Sequence, residues 1–539
     1  MRAAPTHLTS LLGLLWLVGC LPDETPKGLR ATPPGRGPTV VFNLDARPLP
    51  DIPFPNDLLA RPDGAALTGL RLNLSKQGPT ALERRLRTEG LALDGFSGFA
   101  PITVRFDAPL DLARLDGRGR APDEDPVLVV CVAPQCVGER IPLDLGRGRY
   151  PTRRVVPGAD ALGDPRADAA EVLFETVDED LDGDGVLDPG EDQDGDGVLD
   201  RPNVGPDGRP MSWYELQTNT LILRPLRPLT PGATYAVVIT DDVRGRDGQA
   251  VRSPFAWVHH IEQAGPLEAL TAALAPSGRT VDEVAFAWTF TVQTAGATAR
   301  SLADGLAGAG PLANLADDFP PDVTRLDRLQ TAPDGSSLLP GEALAERLAA
   351  LVPSPFQDTD PAALAAAQGA VSHLVAGRFL SPALLVDDDG LEEEDARYPA
   401  DGDEVFRLLP EPLVGRAEVP FWCVIPTATD DHQPPFPVAL LVPDHRESRL
   451  HALLWAGALA AEGLATCALD GYAQAATLDP TAAAALDALE PGGGGSPLVA
   501  SLRQGRARDL DNDGTVDPDQ DLLGAELAHA RDHVRQSLV

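Results

Sequence analysis

Short apolar runs alternate with polar turns over residues 39 to 294, and this pattern predicts a β-rich domain. The runs are rich in β-branched residues, while Pro, Gly and Asp separate them, as in antiparallel sandwiches. We therefore expect an immunoglobulin-like β-sandwich in this range. The predicted strands read TVVFNLD, PITVRFDAPLD, PVLVVCVA, EVLFETV, NTLILRPL, TYAVVIT and EVAFAWTFTVQT.

The spacing of apolar residues changes to three and four positions over residues 295 to 404, which predicts a helical connector that includes DPAALAAAQGAVSHLVAG. Residues 405 to 539 then read as strand, helix and strand with short connections, the pattern of a βαβ unit in a parallel sheet. An amphipathic helix is predicted over DLLGAELAHARDHVRQSLV, where the sequence stops. The chain is therefore expected to be multidomain.

The segment at residues 1 to 19 has the features of a signal peptide. Its apolar stretch at residues 11 to 18 is too short to span a bilayer. A small residue then precedes Cys20, which completes a lipobox and makes that cysteine the expected site of acylation. The alternatives are an ordinary signal peptide with a chance cysteine, or a membrane helix. Residues 20 to 38 are expected to form a Pro/Gly-rich tether.

This signal predicts an exported bacterial lipoprotein of the cell envelope, held at the outer membrane or cell surface through its lipid. The chain carries 44 basic and 81 acidic residues, a formal net charge of −37 at pH 7. Nothing basic is clustered, so nucleic acid is not expected as a partner. Hydrophobic residues make up 43 %, which indicates a mostly globular chain. An excess of aspartate on this scale suits divalent cations.

An insertion at residues 178 to 203 places a carboxylate at almost every second position of a loop in the β-rich domain. Like charges this close repel by about 1 kcal/mol per pair in water. The spacing matches a calcium loop, in which alternate oxygens converge on one Ca²⁺ and a glycine makes the sharp turn. Gly185 holds that position in loop one. The ligands predicted for loop one are Asp180, Asp182, Asp184, the Val186 carbonyl, Asp188 and the bidentate Glu191.

Two further copies repeat this spacing, but Asn203 and Gln520 stand where the bidentate acid is needed. Loops two and three should therefore bind calcium more weakly. Glu191 and Asp192 are adjacent, which leaves no room for helices and favours structural loops over a switch. The alternative is a set of acidic turns without metal. The predicted ligands are Asp192, Asp194, Asp196, Val198 and Asp200 in loop two, and Asp509, Asp511, Asp513, Thr515 and Asp517 in loop three.

Four cysteines remain once Cys20 is set aside, an even number that agrees with export. Cys131 and Cys136 flank a Pro-containing turn and are predicted to form a hairpin disulfide. Cys423 and Cys467 lie in two β-like runs, and there two interpretations stay open: a disulfide across neighbouring strands, or two buried free thiols.

Seven segments spread over most of the chain carry a resemblance: PFPNDLL, LDGFSGFAPITVRFDAPLD, RPLTPGATYAVVITD, GRFLSPALL, PFPVALLVPDHRESR, AAEGLATCALD and ARDHVRQSL. Together they resemble the bacterial surface lipases that have a virulence-factor lipase N-terminal domain. The resemblance implies a β domain followed by an α/β-hydrolase domain, of which this chain has a part. It also implies a lipid anchor and a lipid or ester as the candidate ligand.

The sequence departs from that family where catalysis is concerned. Members place His-Gly after the third hydrolase strand to stabilise an oxyanion, whereas Pro443 and Asp444 stand here. Proline has no N–H to donate, and a carboxylate would repel the developing charge. The chain has no G-x-S-x-G elbow. His445 and His451 have no nucleophile or orienting partner in the sequence, so neither is expected to be catalytic.

Two functions follow from these observations. The first is a calcium-binding, lipid-anchored envelope lipoprotein with a lipase-like architecture that is not catalytic as given. The second is an extracellular esterase or (phospho)lipase whose nucleophile-bearing C-terminal part is missing from this sequence. The end of the chain inside a predicted helix favours an incomplete record, whereas the Pro-Asp pair favours lost catalysis.

Overall fold

The protein is a mixed α/β chain that combines antiparallel sheets with one mixed sheet. This architecture is seen in a computed structural model. It describes residues 28–78, 81–115, 125–144, 178–192, 197–205, 208–329, 338–350, 360–386, 405–406, 415–444, 447–489, 496–507, 516 and 518.

Most strands of the described residues are short, and β12 and β15 are the two longest. They are β1 (Ala60–Pro62), β2 (Leu70–Leu72), β3 (Ile102–Arg105), β4 (Val127–Cys131), β5 (Arg140–Ile141), β6 (Tyr214–Glu215), β7 (Thr220–Leu223), β8 (Thr234–Thr240), β9 (Val284–Thr291), β10 (Val323–Leu326), β11 (Leu338–Pro340), β12 (Val371–Ala383), β13 (Leu385–Val386), β14 (Val405–Phe406), β15 (Gly415–Pro426), β16 (Val438–Leu441) and β17 (Ala465–Leu469).

The α-helices of the described residues have at most ten residues each. They are α1 (Ala81–Gly90), α2 (Leu112–Leu115), α3 (Ala264–Leu267), α4 (Leu270–Leu274), α5 (Ala297–Leu306), α6 (Leu315–Asp318), α7 (Gly341–Ala350), α8 (Pro361–Ala367), α9 (Leu453–Ala461), α10 (Pro480–Ala488) and α11 (Pro497–Leu502). No helix among the described residues combines the length and the apolar character that crossing a bilayer requires.

Two antiparallel sheets build the first half, one ordered β5-β4-β8-β9 and the other β3-β7-β6. Alternate residues of a strand point to opposite faces. In β4, Val127 and Val129 enter a buried cluster that both sheets share. Leu128 and Val130 enter a second cluster, to which α4 contributes Leu270. The larger sheet is therefore buried on both faces at β4, which explains why that strand is apolar without interruption.

A mixed sheet builds the second half, in the order β10-β12-β15-β17-β16, with β11 paired to β12. Its pairs are antiparallel except β16 with β17, which run parallel and are connected through α9. This is the βαβ unit that the sequence predicts. Trp422 and Val424 of β15 pack in a buried cluster with residues of α7 to α11. The cluster shares no residue with the two clusters of the first half.

Both cysteine pairs form disulfides, which confirms the predicted hairpin bond and decides the pair that the sequence left open. Cys131 is bonded to Cys136 across the turn that follows β4. Cys423 and Cys467 face each other in register on the antiparallel strands β15 and β17 and form the second bond. Of the two interpretations that the sequence left open for this pair, the cross-strand disulfide is therefore the correct one.

The structure corrects two predictions for the second half. The segment predicted as one helix from residue 360 onwards is helical only in α8 and a short 3-10 turn at Gln368–Ala370, and the chain continues as the thirteen-residue strand β12. Its Ala-rich start favours helix, but pairing with β15 along the whole strand overrides that propensity. The sheet is also mixed and not parallel throughout.

In the first half, EVLFETV lies outside the described residues, and TVVFNLD forms isolated bridges only.

Candidate metal site

The acidic insertion is closed at its base by two buried acids, Glu179 just before loop one and Asp200 of loop two. The Glu179 N–H donates to the Asp200 carbonyl over 3.1 Å, and the Asp200 N–H donates back to Glu179 Oε2 over 3.1 Å. Asn203 is buried beside them, and its Nδ2 donates to the carbonyl of Tyr214 in β6 over 2.8 Å. The two ends of the insertion are therefore held together and fixed to a sheet.

Loop one brings three predicted ligands together. Asp180, Asp182 and Asp184 each offer a carboxylate oxygen, and these oxygens lie within 4.8 Å of one another. Two oxygens on opposite sides of one Ca²⁺ are about 4.6–5.2 Å apart, because each bond measures about 2.3–2.6 Å. The spacing of the three carboxylates therefore fits a single calcium ion.

The backbone of loop one turns at the predicted glycine. Gly185 has φ +77°, a left-handed conformation that favours glycine. Its N–H points at the carboxylate of Asp180, with both oxygens at 3.2 Å. The Val186 N–H donates to Asp184 Oδ1 over 2.8 Å. These bonds aim the carboxylates into the loop before any cation binds, which lowers the cost of ordering them.

Glu191 is 6 % exposed and binds the ends of loop one through its two oxygens. Oε1 accepts the Leu181 N–H over 3.0 Å, and Oε2 accepts the Asp188 N–H over 2.9 Å. Glu191 and Asp188 stand outside the group of three close carboxylates. Each carboxylate oxygen has two lone pairs, so the hydrogen bonds leave Glu191 with capacity for a cation.

The electrostatics of loop one favour a cation. Partial burial and the negative charges of Asp184, Glu191 and Asp182 raise the pKa of Asp188. Arg201 supplies one positive charge, since its Nη2 lies 2.8 Å from Asp180 Oδ2. The guanidinium side chain is 59 % exposed, whereas the Asp180 side chain is 7 % exposed. Arg201 therefore offsets part of the repulsion from the rim of the loop, a role that the sequence reading missed.

Loop two repeats one contact of loop one among its described residues. The Gly197 N–H donates to Asp192 Oδ2 over 3.1 Å, as Gly185 does to Asp180. Val198 is exposed, and Asp200 is buried at the base of the insertion beside Glu179. The predicted ligands that lie outside the described residues are Asp194 and Asp196 of loop two, and Asp509, Asp511, Asp513, Thr515 and Asp517 of loop three. The acylation site Cys20 also lies outside them.

Pro443 and Asp444, the pair in which the sequence departs from the family that it resembles, follow β16. The carbonyl of Asp444 accepts a hydrogen bond from Gln474 Nε2 over 3.0 Å. His451 Nδ1 accepts the N–H of Ser448 over 3.1 Å, which ties that ring to its own helical turn. His445 lies outside the described residues.

A buried ion pair lies beside this βαβ unit and has no signature in the sequence. Arg449 and Asp470 both have 0 % exposed side chains, and Arg449 Nη1 donates to Asp470 Oδ2. The Arg449 N–H donates to Asp470 Oδ1 over 2.7 Å, and Nη2 donates to the Ser501 carbonyl over 2.7 Å. Burial lowers the pKa of Arg449 and raises that of Asp470, and each charge opposes the shift of the other.

Comparisons of the chain with family models, with curated proteins and with solved structures find no match.

Proposed function

We propose that the protein is a calcium-binding lipoprotein of the bacterial cell envelope, anchored through an acylated Cys20 at the outer membrane or cell surface. Its architecture is lipase-like in this proposal, and the chain as given does not catalyse ester hydrolysis. The membrane and Ca²⁺ are its partners, and nucleic acid is not. The observation that carries the proposal is the convergence of Asp180, Asp182 and Asp184 within 4.8 Å.

Calcium would have a structural role in this proposal. Asp180, Asp182 and Asp184, with the Val186 carbonyl, Asp188 and Glu191, would hold the ion in loop one. Calcium takes about six to eight oxygens, whereas Mg²⁺ demands a stricter octahedron and keeps its waters. The loop is fixed to the sheet through its base, so a bound cation would stabilise the β-rich half without moving a separate domain.

Calcium titration of the full chain in detergent tests the proposal, with unfolding followed by calorimetry in 1 mM CaCl₂ and in EDTA. An affinity typical of extracellular modules predicts about 1 kcal/mol of stabilisation and a rise of about 2–4 °C in the unfolding midpoint. Asp182→Asn should lose most of this rise. Asp430→Asn, which removes the same charge from an exposed loop, should keep it.

An unchanged midpoint in EDTA, together with no calcium uptake at millimolar concentration, would refute the metal site. Mass spectrometry of the protein expressed in a bacterial host tests the anchor separately. A diacylglyceryl mass on Cys20, absent from Cys20→Ser, is the expected result.

Ester hydrolysis is the second candidate, and the parallel β16–α9–β17 unit favours it. Such units place ligands at the carboxyl ends of their strands, where Pro443, Asp444 and Asp470 follow β16 and β17. Assays on short-chain nitrophenyl esters, with and without calcium, separate the two functions. We expect no turnover from this chain, and turnover that chelation abolishes would establish the hydrolase instead.

A further inference from the structure

A cavity of about 450 Å³ lies in the first half of the molecule, and none of its lining residues belongs to the acidic insertion. Three backbone segments meet around it, at residues 36–39, 107–109 and 245–252. The proposed function does not use this cavity.

The cavity has charges of both signs in a chain that is otherwise strongly acidic. Arg36, Arg246 and Arg252 line it together with Asp107 and Asp247. No ion pair of the described residues includes Arg36 or Arg246, so the charges of these two guanidinium groups are available to a ligand. The balance of the lining is one positive charge.

The walls of the cavity are fixed by backbone contacts. The Arg252 N–H donates to the Pro38 carbonyl over 2.8 Å, and the Arg246 N–H donates to the Pro109 carbonyl over 3.3 Å. A Cβ atom on Gly245 would lie 2.6 Å from the Pro38 ring, and one on Gly37 would lie 2.1 Å from the Ala250 carbonyl oxygen. The three segments are therefore in close contact, and the arginine side chains extend from a rigid frame.

Three lining side chains have their position set by hydrogen bonds. Arg252 Nη1 donates to the Gly35 carbonyl over 2.7 Å. Asp107 Oδ1 accepts the Thr39 N–H over 2.7 Å, and Asp247 Oδ1 accepts the Gln249 N–H over 2.9 Å. In both carboxylates the second oxygen remains available to a donor.

We propose that this cavity binds a phosphate ester that carries a primary amine, the chemistry of phosphoethanolamine. Guanidinium groups match the oxygens of a phosphoryl group, and Arg36 and Arg246 are the residues assigned to it. A simple anion would be repelled by Asp107 and Asp247, whereas an ammonium group can donate to them. The mixed lining thus selects a zwitterion over inorganic phosphate.

The source of the ligand is either a free metabolite or the headgroup of a membrane lipid. Arg36 follows Cys20 by 16 residues, so the cavity cannot lie more than about 60 Å of chain from the anchor. The lipid source therefore rests on the proposed anchor, whereas binding of the free ester does not. In the lipid case the cavity would hold the molecule against the membrane that anchors it.

Isothermal titration of the full chain in detergent with phosphoethanolamine, inorganic phosphate and ethanolamine tests the site. We expect phosphoethanolamine to bind at least fivefold more tightly than either fragment. Arg36→Gln with Arg246→Gln should weaken phosphoethanolamine and phosphate by about tenfold or more. Asp247→Asn should weaken phosphoethanolamine alone and leave phosphate equal or tighter. Arg503→Gln, an exposed arginine elsewhere, is the matched control.

Absence of binding at millimolar ligand, or a preference that Asp247→Asn does not change, would overturn the proposal. Because the substituted arginines are exposed, their unfolding midpoints should match that of the parent protein. Flotation of the unacylated Cys20→Ser chain with phosphatidylethanolamine or phosphatidylcholine vesicles identifies the source. Retention on the former alone indicates the lipid, while binding of the free ester without retention indicates the metabolite.

Discussion

Loop one and the Arg449–Asp470 pair concentrate charge in opposite ways. In loop one, three close carboxylates lie in a mostly exposed segment, with one exposed arginine beside Asp180. In the second half, one carboxylate and one guanidinium are fully buried and bind each other. Water screens the first group, so like charges can stay together until a cation arrives. Burial removes that screening, so the second group needs its partner within the chain.

The comparison shows that burial decides whether a charged side chain is neutralised by an ion from solvent or by another side chain of the protein. An exposed acidic loop can exchange its counter-charge with solvent, which makes it suitable for binding an ion. A buried pair cannot exchange its counter-charge with solvent, so the interaction between its two charges contributes to the stability of the folded core. Substitutions that remove one charge should therefore have large effects at the Arg449–Asp470 pair and small effects in loop one.

The largest effect is expected from Asp470→Asn. The variant leaves the Arg449 guanidinium buried without a carboxylate, which costs about 3–5 kcal/mol in other buried pairs. Guanidinium chloride unfolding measures the loss. Glu418→Gln is the control, since it breaks an ion pair with Arg378 whose acid is 47 % exposed and should cost less than about 1 kcal/mol.

A double variant separates charge from packing at this pair. Arg449→Met with Asp470→Asn removes both charges and keeps an oxygen that can accept the N–H of residue 449. It should recover at least half of the stability that Asp470→Asn loses. A double variant as unstable as the single one would show that the cost comes from lost packing.

Asp57 gives an intermediate case, a largely buried carboxylate that has hydrogen-bond donors but no cation. The Thr291 N–H and hydroxyl donate to it over 2.7 and 3.0 Å, and burial raises the pKa of Asp57 to about 6. The folded state therefore holds this proton more tightly than the unfolded state. Stability should fall as pH rises from about 4 to about 6, by up to about 3 kcal/mol, and then level off.

Asp57→Asn should flatten that dependence, because the amide does not titrate. Urea unfolding of both proteins at pH 4, 5, 6 and 7 measures the difference. A parent protein whose stability rises across this interval while the variant stays flat would contradict the assigned direction of the pKa shift.

The two described loops should differ in calcium-dependent stability. Asp180→Asn removes an acid from loop one, which has Glu191 at its twelfth position, and should lose about 1 kcal/mol in 1 mM CaCl₂. Asp192→Asn acts on loop two, which has Asn203 there, and should lose less. Calorimetry with calcium and with EDTA measures both variants, and equal losses would contradict the ranking of the loops.

The smallest effect is expected from Arg201→Gln. Its ion pair with Asp180 is exposed on the arginine side and contributes at most about 1 kcal/mol. Removing the positive charge should slightly lower stability in EDTA and raise calcium affinity severalfold, because the cation no longer competes with the guanidinium. Calcium titration measures the affinity, and a weaker binding constant would show that Arg201 instead positions the loop.

Local spacing predicts the features whose partners are close in sequence. The predicted ligands of loop one fall within twelve consecutive residues, and Gly185 turns where the pattern requires it. The Cys131–Cys136 bond spans five positions. The βαβ unit is also visible, because the period of its apolar residues changes between strand and helix.

Local spacing does not predict features that depend on contacts between residues far apart in the sequence. Asp57 and Thr291 are 234 positions apart, and nothing near either residue indicates the other. The local pattern predicts helix for the first part of β12, but pairing with β15 outweighs that propensity and the segment is a strand. The Arg449–Asp470 pair spans only 21 positions, but neither residue type signals burial. These are the parts of the fold that tertiary contacts decide.

The bond between Cys423 and Cys467 encloses 44 positions of sequence, including the whole of β16 and α9. A protease that cuts the backbone once inside this segment cannot release a fragment, because the sulfurs still join the two pieces. Damage there would stay hidden on an electrophoresis gel until a reducing agent is added. At the proposed envelope location, where external proteases have access, this closed loop would keep a nicked molecule in one piece.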